Sequence, residues 1–545
     1  MRLLQSALWL ARLRPMSGLC LTIVLLATPC IAPSQTRVVP RASAVQKSAI
    51  VSDEWTGVYL GQKKVGFSSS RTTQTSYHNM PAVRESSHSV TRFVMLGASV
   101  ETDENSEAIT DLKHRPLKQL LDVKSNGSVL HVEALFDYSS HKVFCVVGSG
   151  AGATKKTLTI PTGANLTTDT STLTEGQDLT IGKKMKFYYL EPLSVELHPA
   201  TLEVTGKASV RSDSGAQVSA FEVHADMPEG KIIAWAGADG SLIKSELQLG
   251  VLSMTTVTET RAHALDMAYV SPALAPAVAG APAPPIDFAE ATALKPDREL
   301  PRPRTMRYLK ATISGIPEQN LLPADSRQSC TRAATHGAGS GVTAEYTVRA
   351  ERFGLKNASQ LPLRDPAFAP FLAKAAYLET NDVPIQQTAL KLRGKDTNLY
   401  QIASHIRDWV HSVMTPDASI GVVRSAKDVF NRRRGVCRDY ATLYTALARA
   451  AGVPTRLCAG IVYADGKFFY HAWAESYVGK WIAFDPTLYD AHDADFVDAT
   501  HIKFAQGDVT QMFEVVSIVG RLKIHIVDTD TGAAQPGAEA GSVTR

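Results

Sequence analysis

Gly435-Val436-Cys437-Arg438-Asp439-Tyr440-Ala441-Thr442-Leu443, running on through Tyr444 and Leu447 to Gly452-Val453-Pro454, is the stretch on which the fold turns. Cys437, Tyr440, Ala441, Tyr444, Leu447, Ala448 and Ala451 recur at the three- and four-residue spacing of one helix face. Gly435 breaks the chain before that face, and Gly452 with Pro454 ends it, so a helix is predicted between them. Cys437 then falls in the first turn, where backbone N–H groups and the positive end of the helix dipole favour a thiolate. The arginines at 432–434 lie just upstream. The same N–H groups suit an oxyanion. An isolated cysteine at a helix start is more often a small packing residue, so the residues that follow decide.

They read as three strands. Residues 455–463 lead to an Asp465-Gly466 hairpin turn, residues 468–477 form a second strand, and residues 481–485 a third before Pro486. On the middle strand His471, Trp473, Glu475 and Tyr477 share one face. A three-residue loop at Tyr477-Val478-Gly479 would place His471 directly opposite Asp485, whereas a two-residue turn at Gly479-Lys480 would separate their faces. The first hairpin places Gly460 beside His471, an apparent gap for a substrate chain, and Cys458 beside Trp473. Cys458 therefore reads as core. A nucleophile at a helix start, a histidine base and an orienting carboxylate form one catalytic unit.

These motifs resemble those of the transglutaminase-like superfamily. Gly435–Leu443 is similar to its nucleophile motif, and His471-Ala472-Trp473-Ala474-Glu475 and Trp481-Ile482-Ala483-Phe484-Asp485-Pro486-Thr487 to its histidine and aspartate motifs. Asp498-Ala499-Thr500-His501-Ile502, followed by Gly507, resembles the closing segment of bacterial members. The resemblance covers residues 389–508. It implies an α+β, papain-like core with Cys437 as nucleophile, His471 as base and Asp485 as its partner. An amide carbonyl would be attacked to give an acyl-enzyme, which water or an amine then resolves. No cofactor or metal is expected: the calcium ligands of the eukaryotic enzymes have no match, and Asp490, Asp493, Asp495 and Asp498 read as a solvated acidic loop.

Outward from this core, residues 50–264 alternate with period two between Gly- and Asp-based turns, such as Gly61-Gln62 and Asp239-Gly240, and predict an antiparallel β-rich domain without recognisable chemistry. The Gly148–Lys156 stretch lacks the glycine before lysine that a phosphate loop needs and reads as a turn. Residues 271–304, rich in proline and alanine, predict a linker joining two independently folding parts. A small β element follows at 305–356, then the catalytic domain at 365–527 with an amphipathic helix through Leu399, Ile402, Ile406, Trp409 and Val413, and a disordered tail at 528–545. At the N-terminus, Arg2, Arg12 and Arg14 precede the uncharged apolar run 19–31, shorter than the roughly 20 residues a bilayer span needs. Residues 1–44 are thus expected to be an export signal or an uncleaved anchor, making the protein periplasmic or secreted.

Composition fits that reading. With 57 Lys+Arg against 53 Asp+Glu, the net charge of +4 carries no footprint for nucleic acid. Six cysteines in 545 residues exclude a disulfide-built scaffold, though Cys145 and Cys330 could pair in an oxidising compartment. The partner expected is a protein or peptide substrate, or a cell-envelope component. The competing reading is a binding or assembly module that captures such a component on its β domain and uses the core as a scaffold.

Overall fold

The computed structural model describes residues 50–148, 153–168, 179–227, 230–249, 252–274, 286–316, 323–332, 341–488 and 496–531. The expected export signal lies outside them. Among the described residues no helix is long and apolar enough to cross a membrane.

The N-terminal half is one 14-stranded antiparallel sheet. From the strand Ile50–Leu60 the chain meanders outward to the edge strand Thr154–Thr159; it re-enters at the other edge, Lys184–Glu191, and meanders back to Leu252–Glu259. The first and last strands close the seam, with Trp55 opposite Glu259. Turns fall where the sequence places them, at Gly61-Gln62 and at Asp239-Gly240. Alternation buries one face: Leu121, Val123, Leu130, Val132 and Ala134 are all at most 3% exposed. The seam also holds a buried ionic knot that alternation does not announce. Lys64 Nζ lies 2.6 Å from both Glu259 Oε2 and the His263 carbonyl, and the Tyr59 hydroxyl donates to Glu259. Lys155 and Lys156 sit within a strand paired to Lys142–Val147, as a hairpin rather than a phosphate loop requires.

Two four-stranded sheets build the other half. In one, Tyr308–Ile316 is flanked by Val342–Arg349 and by the C-terminal strand Lys523–Asp530. Residues 528–530, expected in the tail, therefore complete this sheet, with Asp530 opposite Tyr308. In the other, the central strand Thr455–Ala464 pairs with the histidine strand Lys467–Tyr477 and with the closing strand Ile502–Gly507, while the short strand Trp481–Phe484 pairs on the far side of the histidine strand. The helix Cys437–Ala450 packs on this sheet and against Leu399–Val413 and Val383–Arg393. The architecture is α+β. The helix Cys437–Ala450 is not one-sided as its periodicity suggests: every residue from Cys437 to Arg449 is buried. Arg449 is accommodated because its guanidinium donates to the carbonyls of Thr455 (2.8 Å) and Ala373 (2.9 Å) and pairs with Asp508.

The two halves are not separated by an empty linker. Within 271–304 the short helix Phe288–Thr292 is capped by Asp287, and Phe288, Leu294 and Leu300 are buried. Leu294 and Phe468 exchange backbone hydrogen bonds of 2.8 Å, tying this segment to the start of the histidine strand. The average composition hid three well-spaced apolar residues. Across the halves, the Gly421 N–H donates to Ser125 Oγ (3.0 Å), Ser128 Oγ donates to Asp428 (3.0 Å), and Arg432 donates to the Gly127 carbonyl (2.6 Å). One continuous apolar cluster includes both Val123 of the large sheet and Val422 of the segment before the helix Cys437–Ala450.

Candidate active site

Cys437 is the first residue of its helix. Val436 precedes it in extended conformation, and the Val436 N–H donates to Asp439 Oδ2 (3.0 Å), so an aspartate three residues into the helix caps its own start. Arg424 Nη2 pairs with that carboxylate at 3.0 Å. Gly435 is required by this arrangement: a Cβ there would lie 2.3 Å from Asp439 Oδ2 and 2.4 Å from Arg424 Nη2. The upstream arginines are engaged elsewhere. Arg432 pairs with Asp428, Arg434 with Asp417, and Arg433 lies over the Trp409 and Phe430 rings. The cations beside the helix start are instead Arg424 and Arg438, both buried, the latter donating to the Val422 carbonyl (2.6 Å).

The hairpin register places Gly460 opposite His471 and Cys458 opposite Trp473, as read from the turn. The gap at Gly460 is not left for substrate, however. A Cβ there would stand 1.9 Å from the Ile502 carbonyl oxygen, because the closing strand crosses at a bulge between Ala459 and Gly460. Cys458 is fully buried, and burial pushes its thiol well up. Around it runs an ionic string: Arg456 donates twice to Glu475 Oε2 (2.6 and 2.8 Å), and Glu475 Oε1 accepts from Lys503 (2.6 Å), which also pairs with Asp325. Cys145 and Cys330 form no disulfide.

The second turn is odd-length, but its register differs from expectation. Tyr477 pairs with Trp481, leaving Val478-Gly479-Lys480 as the loop with Gly479 at φ 125°. Continuing that register sets Asp485 beside Trp473, on the same face as His471 but one diagonal away. The side chain covers the difference: His471 Nε2 lies 2.8 Å from Asp485 Oδ2. Asp485 Oδ1 accepts from the Thr487 N–H at 2.7 Å.

With Nε2 on Asp485, the nitrogen of His471 left for Cys437 is Nδ1, which is buried and bonds to no nitrogen or oxygen among the described residues. Burial opposes a charge on His471. The Asp485 carboxylate, the Cys437 sulfur and hydrogen bonds to both outweigh it, pushing the imidazole from 6.5 up to about 9. Burial likewise opposes ionisation of Asp485, but His471 and His501 hold its carboxyl well below the usual range. Cys437, His471 and Asp485 are 2%, 0% and 3% exposed, so their mutual interactions are little screened by solvent. The Trp473 ring stacks near His471 at 17° with centroids 6.1 Å apart.

Sequence reading named the closing segment but gave none of its residues a role. His501 Nε2 lies 3.1 Å from Asp485 Oδ2, the same oxygen that serves His471. Asp498, expected in a solvated loop, is 4% exposed and pairs with Arg304 (2.8 Å); Asp490, Asp493 and Asp495 lie outside the described residues. His471, Asp485 and His501 present ligand-type atoms within 4.8 Å of one another, but both imidazoles spend theirs on the shared carboxylate oxygen. The missed signal was a histidine three residues after an aspartate, just before a strand.

Residues 386–486 match the sequence family described as the Transglutaminase-like superfamily, so this stretch of the chain carries a transglutaminase-like core domain. Its relatives match only in part. The "Uncharacterized protein ML0607" of Mycobacterium leprae is 32% identical over 77 residues, 12% of this chain and 27% of that protein. A crystal structure of "a Putative Cysteine Protease from Cytophaga hutchinsonii" has 20% identity and a TM-score of 0.28, covering 41% of this chain and 86% of the other. A "Beta-barrel-like Protein of Domain of Unknown Function DUF1849 from Brucella abortus" has 13% identity and a TM-score of 0.27, covering 38% and 96%.

Proposed function

We propose that the protein is an exported cysteine hydrolase or acyltransferase that acts on protein or peptide amides through Cys437, His471 and Asp485. One observation carries the reading: His471 spends Nε2 on Asp485 and keeps Nδ1 for a cysteine at the first position of a buried helix. That geometry pairs a thiolate with an imidazolium. The sulfur attacks the amide carbonyl carbon, and the carbonyl π pair moves to oxygen, where the backbone N–H of Cys437 at the helix start stabilises it. As the tetrahedral species collapses the C–N bond breaks, nitrogen takes the proton from His471 Nδ1, and the amine leaves an acyl-enzyme. Neutral His471 then takes a proton from water, and the resulting attack releases the acid; an amine in place of water would give a crosslink. Hydrolysis is favoured because water is always present, whereas an amine needs its own docking surface. Asp485 keeps the ring in the tautomer that aims Nδ1 at sulfur.

The test is selective alkylation. At neutral pH iodoacetamide should modify Cys437 far faster than Cys458, and Cys437→Ala should keep the fold and form no acyl-enzyme with thiol-ester or amide probes. Equal, slow modification of both cysteines would favour the non-catalytic binding module instead.

A further inference from the structure

Asp485 Oδ2 receives two imidazoles, His471 Nε2 at 2.8 Å and His501 Nε2 at 3.1 Å. A carboxylate oxygen only accepts, so both rings must donate from Nε2. The other nitrogen of His501 meets acceptors as well: its Nδ1 lies 3.2 Å from the Asp498 carbonyl and 3.4 Å from Asp498 Oδ2. A neutral imidazole has one donor and one acceptor nitrogen and would face one of these oxygens with a lone pair. Only the imidazolium satisfies both sides.

We propose that His501 is a positioning residue: a buried imidazolium clamped between Asp498 and Asp485 that fixes the Asp485 carboxylate and offsets part of its charge, and so sets how tightly His471 holds its proton. The inference rests on the proposed role of His471 and adds a residue to it.

The surroundings support a held cation. His501 is 2% exposed, and the charges facing it come from five places: Asp485 after the strand Trp481–Phe484, His471 on the histidine strand with Cys437 beyond it, Asp498 on its own segment, Arg304 from before the small sheet, and Arg327 from the start of Gln328–Arg332. Arg304 pairs with Asp498 Oδ2 (2.8 Å), and Arg327 donates to the Asp498 carbonyl (2.6 Å). The Thr500 N–H donates to Asp498 Oδ1 (2.9 Å), so Asp498 is itself fixed. The Trp473 ring meets the His501 ring in a T-shaped contact with centroids 5.4 Å apart. Burial disfavours the His501 cation, but Asp498 and Asp485 together raise its proton affinity. A cation bonded to Asp485 weakens that carboxylate's pull on the His471 proton. His471 is thereby kept able to give its proton to a leaving amine.

The test compares iodoacetate with iodoacetamide at Cys437 across pH. The anionic reagent gains over the neutral one while the neighbouring imidazolium is charged, so the midpoint at which its advantage disappears reports the His471 proton. In the wild type that midpoint should lie near the 9 expected for His471. His501→Gln keeps a donor near Asp485 but removes the charge, and should move the midpoint upward by about 0.5 unit or more. It should also slow the reaction with an amide probe about tenfold. His501→Asn removes the charge from the other end and should move the midpoint the same way, which keeps the test available if one variant does not fold. An unmoved midpoint in folded variants, even with a lowered melting temperature, makes His501 merely structural and overturns the proposal, as does a downward shift. A wild type with no fast-reacting Cys437 and no charge-dependent step overturns the cysteine-enzyme reading itself, whereas a normal wild type with unmoved variants overturns only the role of His501.

Discussion

In the 14-stranded sheet every pairing except the one at the seam joins strands that follow one another in the chain, so each of these pairings closes a short loop. At the site, Arg304, Cys437, His471, Asp485 and His501 arrive from five separate segments, and their bonds join residues up to 196 positions apart, as between Arg304 and Thr500. The sheet spreads its stability over many replaceable apolar side chains, each worth about 1.5–3 kcal/mol when buried. The site concentrates its order in a few atoms, above all the two oxygens of Asp485. Substitutions should therefore be graded by whether they strike a shared atom or a repeated one.

The largest effect should follow Asp485→Asn. Three N–H donors converge on this carboxylate, from His471, His501 and Thr487, so either orientation of an asparagine amide turns its NH2 group toward a donor. Amide-probe turnover should fall by ~10³ or more, with Cys437 retained. Near-normal turnover would mean that another group orients His471.

The pH response comes next. The His471 proton affinity is raised in the fold, from 6.5 to about 9, so its contribution to stability is fully present below about 6.5 and is lost as pH rises through about 9. Asp485 is depressed, so its contribution holds above its usual range and is lost only as strong acid protonates it. Melting temperature and amide-probe turnover should therefore both decline on the alkaline side around pH 9. A His471→Gln variant should lose the alkaline step in melting temperature; if it melts with the wild-type pH profile, the step belongs to another group.

Gly460→Ala probes the crossing between the central and closing strands. With the Ile502 carbonyl 1.9 Å from the new methyl carbon, the strand must shift, at a cost of about 2 kcal/mol or more by denaturant unfolding. Alanine at the half-buried Gly206 of the large sheet, where nothing stands within 4 Å, should change stability by less than about 0.5 kcal/mol. Equal costs at the two positions would erase the contrast between the regions.

The smallest effect is expected from a single proteolytic nick within 275–285. Because one apolar cluster and several hydrogen bonds join the halves, the nicked chain should stay associated and unfold in one calorimetric transition. Two separate transitions would restore the two-part organisation suggested by composition.

Much of this was legible locally. The helix at Cys437, the Asp465-Gly466 hairpin and the meandering strands depend on neighbours in sequence, and periodicity with turn chemistry reads them well. The odd-length loop before Asp485 was also legible, but its register was not, since a two-residue slip preserves every face. What escaped was set by distant partners. Gly460 looked like space for a substrate until the closing strand filled it, and residues 432–434 looked like the cations of the nucleophile until Asp428 and Asp417 claimed two of them. His501 and Asp498 carried no local sign of burial, because an aspartate and a histidine in a turn read as solvated unless their partners are known. Cys437, His471 and Asp485 could be named together because a motif places them in order.

The two-imidazole carboxylate also bears on when the site comes into being. Chain synthesis delivers Cys437 first, then His471, then Asp485, yet the second imidazole on Asp485 arrives only with His501, and the strand Lys523–Asp530 that completes the neighbouring sheet later still. A growing chain that has already made Cys437, His471 and Asp485 still lacks the His501 imidazole that also meets the Asp485 carboxylate. The segment from His501 onward thus separates a nascent polypeptide that already carries the thiol from one in which two imidazoles meet Asp485.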